Sequence, residues 1–348
     1  MSNDRPNILF LMADQHRWDA VGCAGNSKIR TPNMDALAAS GVRFTNAFCP
    51  TPVCAASRMS LITGHRSGTT HWHSNGKLPG HPPELPTIMT ILHEYGYYTH
   101  AVGNLFFRGR HYGLQSVDSL EGATVYSRID DDYLMYLKEK GIRTRYPRGI
   151  RGLLYYQPQT SGIPEEHSPT TWITVRSIDF LRAHVRYRKG RPFFLWTSWL
   201  APHPPFAPCE PYDSMYDPAD MDLPVYADRP LSTLPSPAWG ERSRMDGAHL
   251  DPARIRRIRA LYYGMVSHVD DGVRRILAAL DRLGLSENTV VIYSSDHGEM
   301  LGDHGLSQKS VPYEASIRVP LIMRWPGRTR PGGVCDDLVG LTDILPTL

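Results

Sequence analysis

Lysine is scarce in this chain. Of its 38 basic residues only six are lysine (Lys28, Lys77, Lys138, Lys140, Lys189 and Lys309), and the formal net charge is +3. No strongly basic face is implied, so nucleic acid is excluded as an expected partner. Arginine suits two-pronged recognition of oxyanions, although a GC-rich genome produces the same bias. Cysteine is scarce too: five residues, at 23, 49, 54, 209 and 335, with no C-x-x-C pair. An odd, scattered set excludes a disulfide scaffold and fits a reducing compartment. Long apolar runs are absent. Ile8–Ala13 is too short for a signal peptide and ends at Asp14, and no run approaches the length of a membrane span. The expected location is therefore cytoplasmic, with no membrane partner. The chain also lacks repeats and low-complexity tracts. With 41% hydrophobic and 21% charged residues it is neither collagenous nor disordered. Its 348 residues suffice for one large α/β domain or two smaller ones, with a core that needs no staple.

What is present alternates. Asn7–Ala13 is a continuous apolar run, as in a strand buried on both faces. Thr31-Pro32 opens a helix with a cap and a proline at its first position, and Gly41 closes it. Val42–Phe48 alternates like a strand, and Arg58–Thr63 reads as one or two helical turns. A helix over Pro86–Tyr95 precedes a strand at Tyr97–Val102. Ser168–His184 is helical, Pro192–Trp199 a strand, and Pro252–Leu283 a long helix. Thr289–Ser294 and Val319–Arg324 complete the strands. The pattern predicts an α/β fold with a doubly wound, mostly parallel sheet flanked by helices. Residues 104–167 and 200–250 break the alternation and are too long for simple connections. They read as insertions covering a site. The Tyr- and Arg-rich stretch Tyr146, Arg148, Arg151, Tyr155 and Tyr156 could line a pocket for an anionic or sugar substrate, but a solvated loop with aromatic packing is the stronger reading of it.

Open α/β sheets bind ligands beyond the carboxyl ends of their strands. Polar residues follow four of the predicted strands there: Asp14-Gln15-His16, Gly103-Asn104, Ala201-Pro202-His203, and Ser295-Asp296-His297-Gly298-Glu299. Asp14 and Asp296 are hard oxygen donors, Gln15 offers a carbonyl and His297 a nitrogen. Together they could hold one divalent cation. The oxygen majority points to Ca²⁺ or Mg²⁺, and the histidine leaves Mn²⁺ open. Taken singly, each is more often a cap, a turn former or a loop residue. Cys54 precedes a short helix, where N–H groups and the helix dipole favour an anion, and Arg58 follows four residues later on nearly the same face. The alternative for Cys54 is a buried structural thiol.

Cys54-Ala55-Ala56-Ser57-Arg58, with Leu61-Ile62-Thr63-Gly64, resembles the sulfatase signature C-x-P-S-R-x-x-x-[apolar]-T-G. Pro6-Asn7-Ile8-Leu9 leading to Asp14-Gln15, Thr31-Pro32-Asn33-Met34-Asp35-Ala36-Leu37-Ala38, and Ser295-Asp296-His297-Gly298-Glu299 with Gly302-Asp303-His304 also look like that family's motifs, in its order. The resemblance covers essentially the whole chain. It implies an alkaline-phosphatase-like fold and a sulfuric ester hydrolase whose nucleophile is a formylglycine gem-diol made from Cys54 by converting machinery. It also implies one divalent metal, Ca²⁺ first with Mg²⁺ or Mn²⁺ as alternatives, held by Asp14, Gln15, Asp296 and His297. Arg58, His203 and Lys309 would act beside Cys54, and Asn75 and Asn104 would face a small-molecule or saccharide sulfate ester. Asn75 and the segment Pro192–Tyr216 look like the phosphonate monoester hydrolase branch.

Three positions depart from the pattern. Ala56 replaces the signature proline read by the converting machinery. Asn104 and Phe106 stand where many sulfatases have lysine and histidine. The chain is also expected to be a single catalytic domain, 1–348, truncated before a small C-terminal subdomain. Two alternatives follow: a phosphodiester or phosphonate monoester hydrolase of the same superfamily, and a catalytically weak or silent homologue. Oligomeric state is not legible.

Overall fold

The computed structural model describes residues 5–75, 84–107, 110–120, 131–144, 146–150, 156–225 and 251–348. Among them an eight-stranded sheet runs in the order β4-β3-β5-β1-β6-β7-β2-β8. The strands are β1 (Asn7–Asp14), β2 (Val42–Phe48), β3 (Tyr98–Gly103), β4 (Ser116–Ser119), β5 (Phe193–Pro202), β6 (Thr289–Ser295), β7 (Leu321–Arg324) and β8 (Gly333–Gly340). All neighbours pair parallel except β7, which runs antiparallel to both β6 and β2. The expected mostly parallel sheet is therefore present, with one reversed strand.

β1 is central, and its register sets Leu9 opposite Leu195 on one side and Val291 on the other. Successive side chains point to opposite faces. Leu9, Leu11 and Ala13 enter one core layer, while Ile8, Phe10 and Met12 enter the other. Both faces must be apolar, which is why the run has no polar alternation. The first layer is closed by helices α1 (Pro32–Ala39), α5 (Pro169–Tyr187) and α6 (Pro252–Arg282), the second by α2 (Cys54–Thr63) and α3 (Ile88–Glu94). Helix α4 (Asp132–Glu139) lies within the first predicted insertion, capped by the Asp131 carboxylate on Leu134 N–H at 2.9 Å.

Three details differ from the sequence reading. Thr31 does not cap α1 with its side chain. Its hydroxyl accepts from Gly22 N–H at 2.8 Å, and the Asp270 carboxylate, from α6, accepts from Met34 N–H at 2.8 Å and Asn33 N–H at 3.2 Å. Gly41 closes α1 as expected, just past Ala39 and Ser40, but without a left-handed turn. A Cβ there would lie 2.3 Å from the Met323 carbonyl oxygen, so the absent side chain lets β7 approach. β4 and β8 are additional strands. β8 (GVCDDLVG) lies along an edge with half its residues exposed and Asp336-Asp337 at its centre, so it carries no regular apolar period.

Of the second insertion, residues 226–250 lie outside the described residues, as do Arg151 and Tyr155. Tyr146 is exposed, Arg148 pairs with Asp131, and Tyr156 is buried against Phe206. No helix among the described residues is long and apolar enough to cross a membrane.

Candidate functional site

Because β3, β5, β1 and β6 are parallel neighbours, their carboxyl ends share one edge of the sheet. Asp14, Asn104, His203 and Asp296 are therefore delivered to one place, as expected of an open α/β sheet. Gly103, at φ 106°, permits this crowding: a Cβ there would stand 2.1 Å from the Ser198 carbonyl oxygen. Helix α2 adds Cys54 as its first residue and Arg58 one turn later. All of Asp14, Gln15, Cys54, Arg58, Asn104, Asp296 and His297 are buried to within 0% exposure, so what neutralises their charge decides their chemistry.

One carboxylate oxygen each of Asp14 and Asp296, Cys54 Sγ and a His297 ring nitrogen all lie within 4.8 Å of one another. Cys54 Sγ is 3.2 Å from His297 Nε2 and 3.8 Å from Asp14 Oδ1. His297 gives its Nδ1–H to the Gly298 carbonyl at 3.0 Å, which leaves the Nε2 lone pair facing the carboxylates. Arg58 is the countercharge. Its Nε donates to Asp296 Oδ2 at 2.8 Å and its Nη2 to Asp14 Oδ2 at 3.1 Å. Its Nη1 donates to Ser198 Oγ at 3.0 Å and to the Asn104 carbonyl. Ser57 Oγ donates to the Asp296 carbonyl at 2.6 Å.

One guanidinium does not balance this cluster. Burial pushes the Asp14 carboxyl well above the usual carboxylate range, and the Asp296 and Cys54 charges add to the rise. Burial also disfavours ionised Asp296, but its interactions with His297 and Arg58, including the Arg58 hydrogen bond, outweigh it and hold that carboxyl below its ordinary value. Burial likewise lowers His297 and keeps its imidazole neutral. Two oxygen donors, a bare imidazole nitrogen and a deficit of positive charge fit a divalent cation. The residues present are thus suited to hold one, with Asp14, Asp296 and His297 as the convergent donors.

The other expected residues are placed as follows. Gln15, at φ 68°, gives its backbone N–H to Asp296 Oδ1 at 3.0 Å. Its side-chain oxygen accepts from Lys309 Nζ, and its amide nitrogen donates to Glu299. Lys309 Nζ is also 3.1 Å from His203 Nε2, and His203 gives its Nδ1–H to the Pro204 carbonyl at 2.6 Å. Lys309 lies between two non-glycine residues in left-handed backbone, Gln308 (φ 64°) and Ser310 (φ 75°). Such strain persists only where surrounding contacts impose it, and it gathers at functional sites. Asn75 Oδ1 accepts from Ala55 N–H at 2.9 Å, holding the start of α2.

Asn104 turns inward, its Nδ2 donating to Asp14 Oδ2 at 3.0 Å. Phe106, at φ 59°, lays its ring 5.3 Å from the Arg58 guanidinium carbon. Both therefore attend to the buried charge cluster. The sequence reading missed Ser198, Ser57 and Glu299. Ser198 carried a signal: it and Thr197 are the two hydroxyls inside an otherwise apolar β5. Glu299 lay within a motif already noted, but nothing in the spacing marked its side chain.

The chain is similar to known proteins along nearly its whole length. The sulfatase family profile matches residues 6–348. An arylsulfatase of Clostridium perfringens is 32% identical over 366 residues, spanning 99% of this chain and 74% of that protein. The human (Homo sapiens) iduronate 2-sulfatase is 31% identical over 388 residues, spanning 100% of this chain and 69% of that protein. Among solved structures, the phosphonate monoester hydrolase of Agrobacterium radiobacter superposes with a TM-score of 0.84 at 26% identity, covering 99% of this chain and 73% of that one.

Proposed function

The chain belongs to the sulfatase family, and from that premise we propose that it hydrolyses sulfate monoesters through residue 54. The observation that carries the reading is the buried cluster in which Cys54 Sγ faces His297 Nε2 at 3.2 Å and Asp14 Oδ1 at 3.8 Å, with Arg58 bridging Asp14 and Asp296. An inert core thiol has no reason to sit among two carboxylates and a guanidinium.

In this reading Cys54 would be converted to formylglycine, whose hydrate would supply the hydroxyl nucleophile for the sulfate ester. Asp14, Gln15, Asp296 and His297 would hold a divalent cation, Ca²⁺ ahead of Mg²⁺ and Mn²⁺, which would supply Lewis acidity. Arg58 keeps both carboxylates apart and aimed. Lys309 provides the point charge for a sulfate oxygen. His203 has its Nδ1–H committed to Pro204 and its Nε2 beside Lys309 Nζ at 3.1 Å, so the two side chains together serve the leaving alcohol. Residues 1–348 act as one catalytic domain, and the insertions at 104–167 and 200–250 shape the alcohol pocket. The substrate class is a small-molecule or saccharide sulfate ester, and the converting machinery is the one obligatory partner.

The test is an aryl sulfate assay on protein from a converting host, with mass spectrometry of the Cys54 peptide. Thiol-to-aldehyde conversion and loss of turnover in Cys54→Ala are expected; full activity in Cys54→Ala would defeat the reading. A second reading, hydrolysis of phosphonate monoesters or phosphodiesters, is favoured by one observation. Asn104 is spent on Asp14 and Phe106 covers Arg58, so neither offers a charged donor to sulfate. Parallel assays on an aryl phosphonate and an aryl phosphodiester discriminate the two.

A further inference from the structure

Glu299 is fully buried, beyond the end of β6 and two residues from His297. Its two oxygens have different tasks. Oε1 accepts from the Tyr156 hydroxyl at 3.1 Å, from Leu301 N–H at 3.1 Å and from Gln308 N–H. Oε2 accepts from Gln15 Nε2. The Gln15 amide therefore lies between a carboxylate, which only accepts, and the Lys309 ammonium, which only donates. Just one of its two flips satisfies both neighbours: nitrogen toward Glu299, oxygen toward Lys309. With Glu299 replaced by an amide, that choice is lost.

We propose that Glu299 is the positioning residue that fixes the Gln15 side-chain oxygen toward Lys309 and the cation-binding cluster. The inference rests on the proposed metal centre for its functional consequence, but the orientation itself does not. The two backbone N–H donors and the tyrosine hydroxyl lock Glu299 from behind, so it cannot rotate away to accommodate Gln15. The same Gln308 N–H contact sits next to Lys309. One buried carboxylate thus sets both the amide and the loop that carries the ammonium.

Glu299→Gln tests this. Three donors face Oε1, so the new amide must keep its oxygen there and turn its NH₂ toward Gln15. Gln15 then meets a donor on both sides whichever way it flips. Outer-shell partners of this kind typically change cation affinity about 10–100-fold. The double variant Gln15→Glu/Glu299→Gln exchanges carboxylate and amide and restores every donor to an acceptor. Two measurements are made on the parent, both single variants and the double. In chelator, thermal unfolding reads the orientation alone: strong non-additivity, with the double recovering stability lost in the singles, is expected. Additive losses overturn the proposal. Titration of Mn²⁺ or Ca²⁺ by calorimetry reads the consequence: E299Q should bind about 10–100-fold more weakly than the parent. Equal affinity in E299Q also overturns it. If the parent binds neither cation, the metal reading falls, while the unfolding cycle still decides the orientation.

Discussion

Arg58→Met is the sharpest perturbation of the charge cluster. Methionine occupies a similar space and removes the only guanidinium among the described residues that reaches both carboxylates. The parent side chain is fully buried and makes bonds of 2.8 Å to Asp296 and 3.1 Å to Asp14. Removing one partner of a buried ion pair typically costs about 3–5 kcal/mol, because the other charge stays buried and uncompensated. Here two carboxylates are left, but one proton relieves part of the cost. Asp14 takes that proton readily, because burial and Asp296 already push its carboxyl upward. The upper part of that range is therefore an upper bound. For a chain of this length the loss corresponds to a melting-temperature drop on the order of 10 °C. A divalent cation supplies an alternative countercharge. With saturating Mn²⁺ or Ca²⁺ the difference between variant and parent should shrink to less than half, leaving mainly the neutral bonds to Ser198 and Asn104. The assay is thermal unfolding by circular dichroism, in chelator and in excess cation, at one protein concentration. A variant as stable as the parent in chelator would refute the claim that Arg58 is the countercharge. An equal loss in chelator and in cation would refute the claim that a cation shares its task.

Lys309→Ala should lower turnover of an aryl sulfate by on the order of 10²–10³ with the fold intact, as measured by kcat alongside circular dichroism. Asp270 gives a pH prediction. Burial raises its carboxyl from 3.8 to about 6, although it caps α1. A raised folded value means that its favourable contribution is complete below pH 3.8 and is lost as pH rises through 6. The change is about 3 kcal/mol. Asp270→Asn keeps an acceptor for Met34 N–H, so its stability relative to the parent should increase across that window. A difference that stays flat from pH 4 to 7 contradicts the assignment. Gly41→Ala should destabilise by about 1–3 kcal/mol, read as a lower urea midpoint, since its Cβ would meet the Met323 carbonyl at 2.3 Å.

Much of the fold was legible because its signals are local. The unbroken apolar run of β1 states that both faces are covered, and Leu9 and Phe10 do enter opposite core layers. The helix breaks and the polar residues after four of the strands are written within a few positions of one another. A parallel sheet then gathers those strand ends at one edge without further instruction. Cys54 and Arg58 share a face because they are one helical turn apart. What sequence alone could not decide is which group satisfies which. The α1 cap comes from Asp270, 236 residues beyond Met34. Arg58 reaches Asp296 across 238 positions, and Gln15 reaches Glu299 across 284. The place of Asn104 after β3 was legible, but not that its amide donates to the Asp14 carboxylate at 3.0 Å. The edge strand β8 left no pattern because half of it faces solvent. Local periodicity reports which face is dry. Once a charge is buried its partner is chosen by proximity in three dimensions, and no spacing along the chain records that choice.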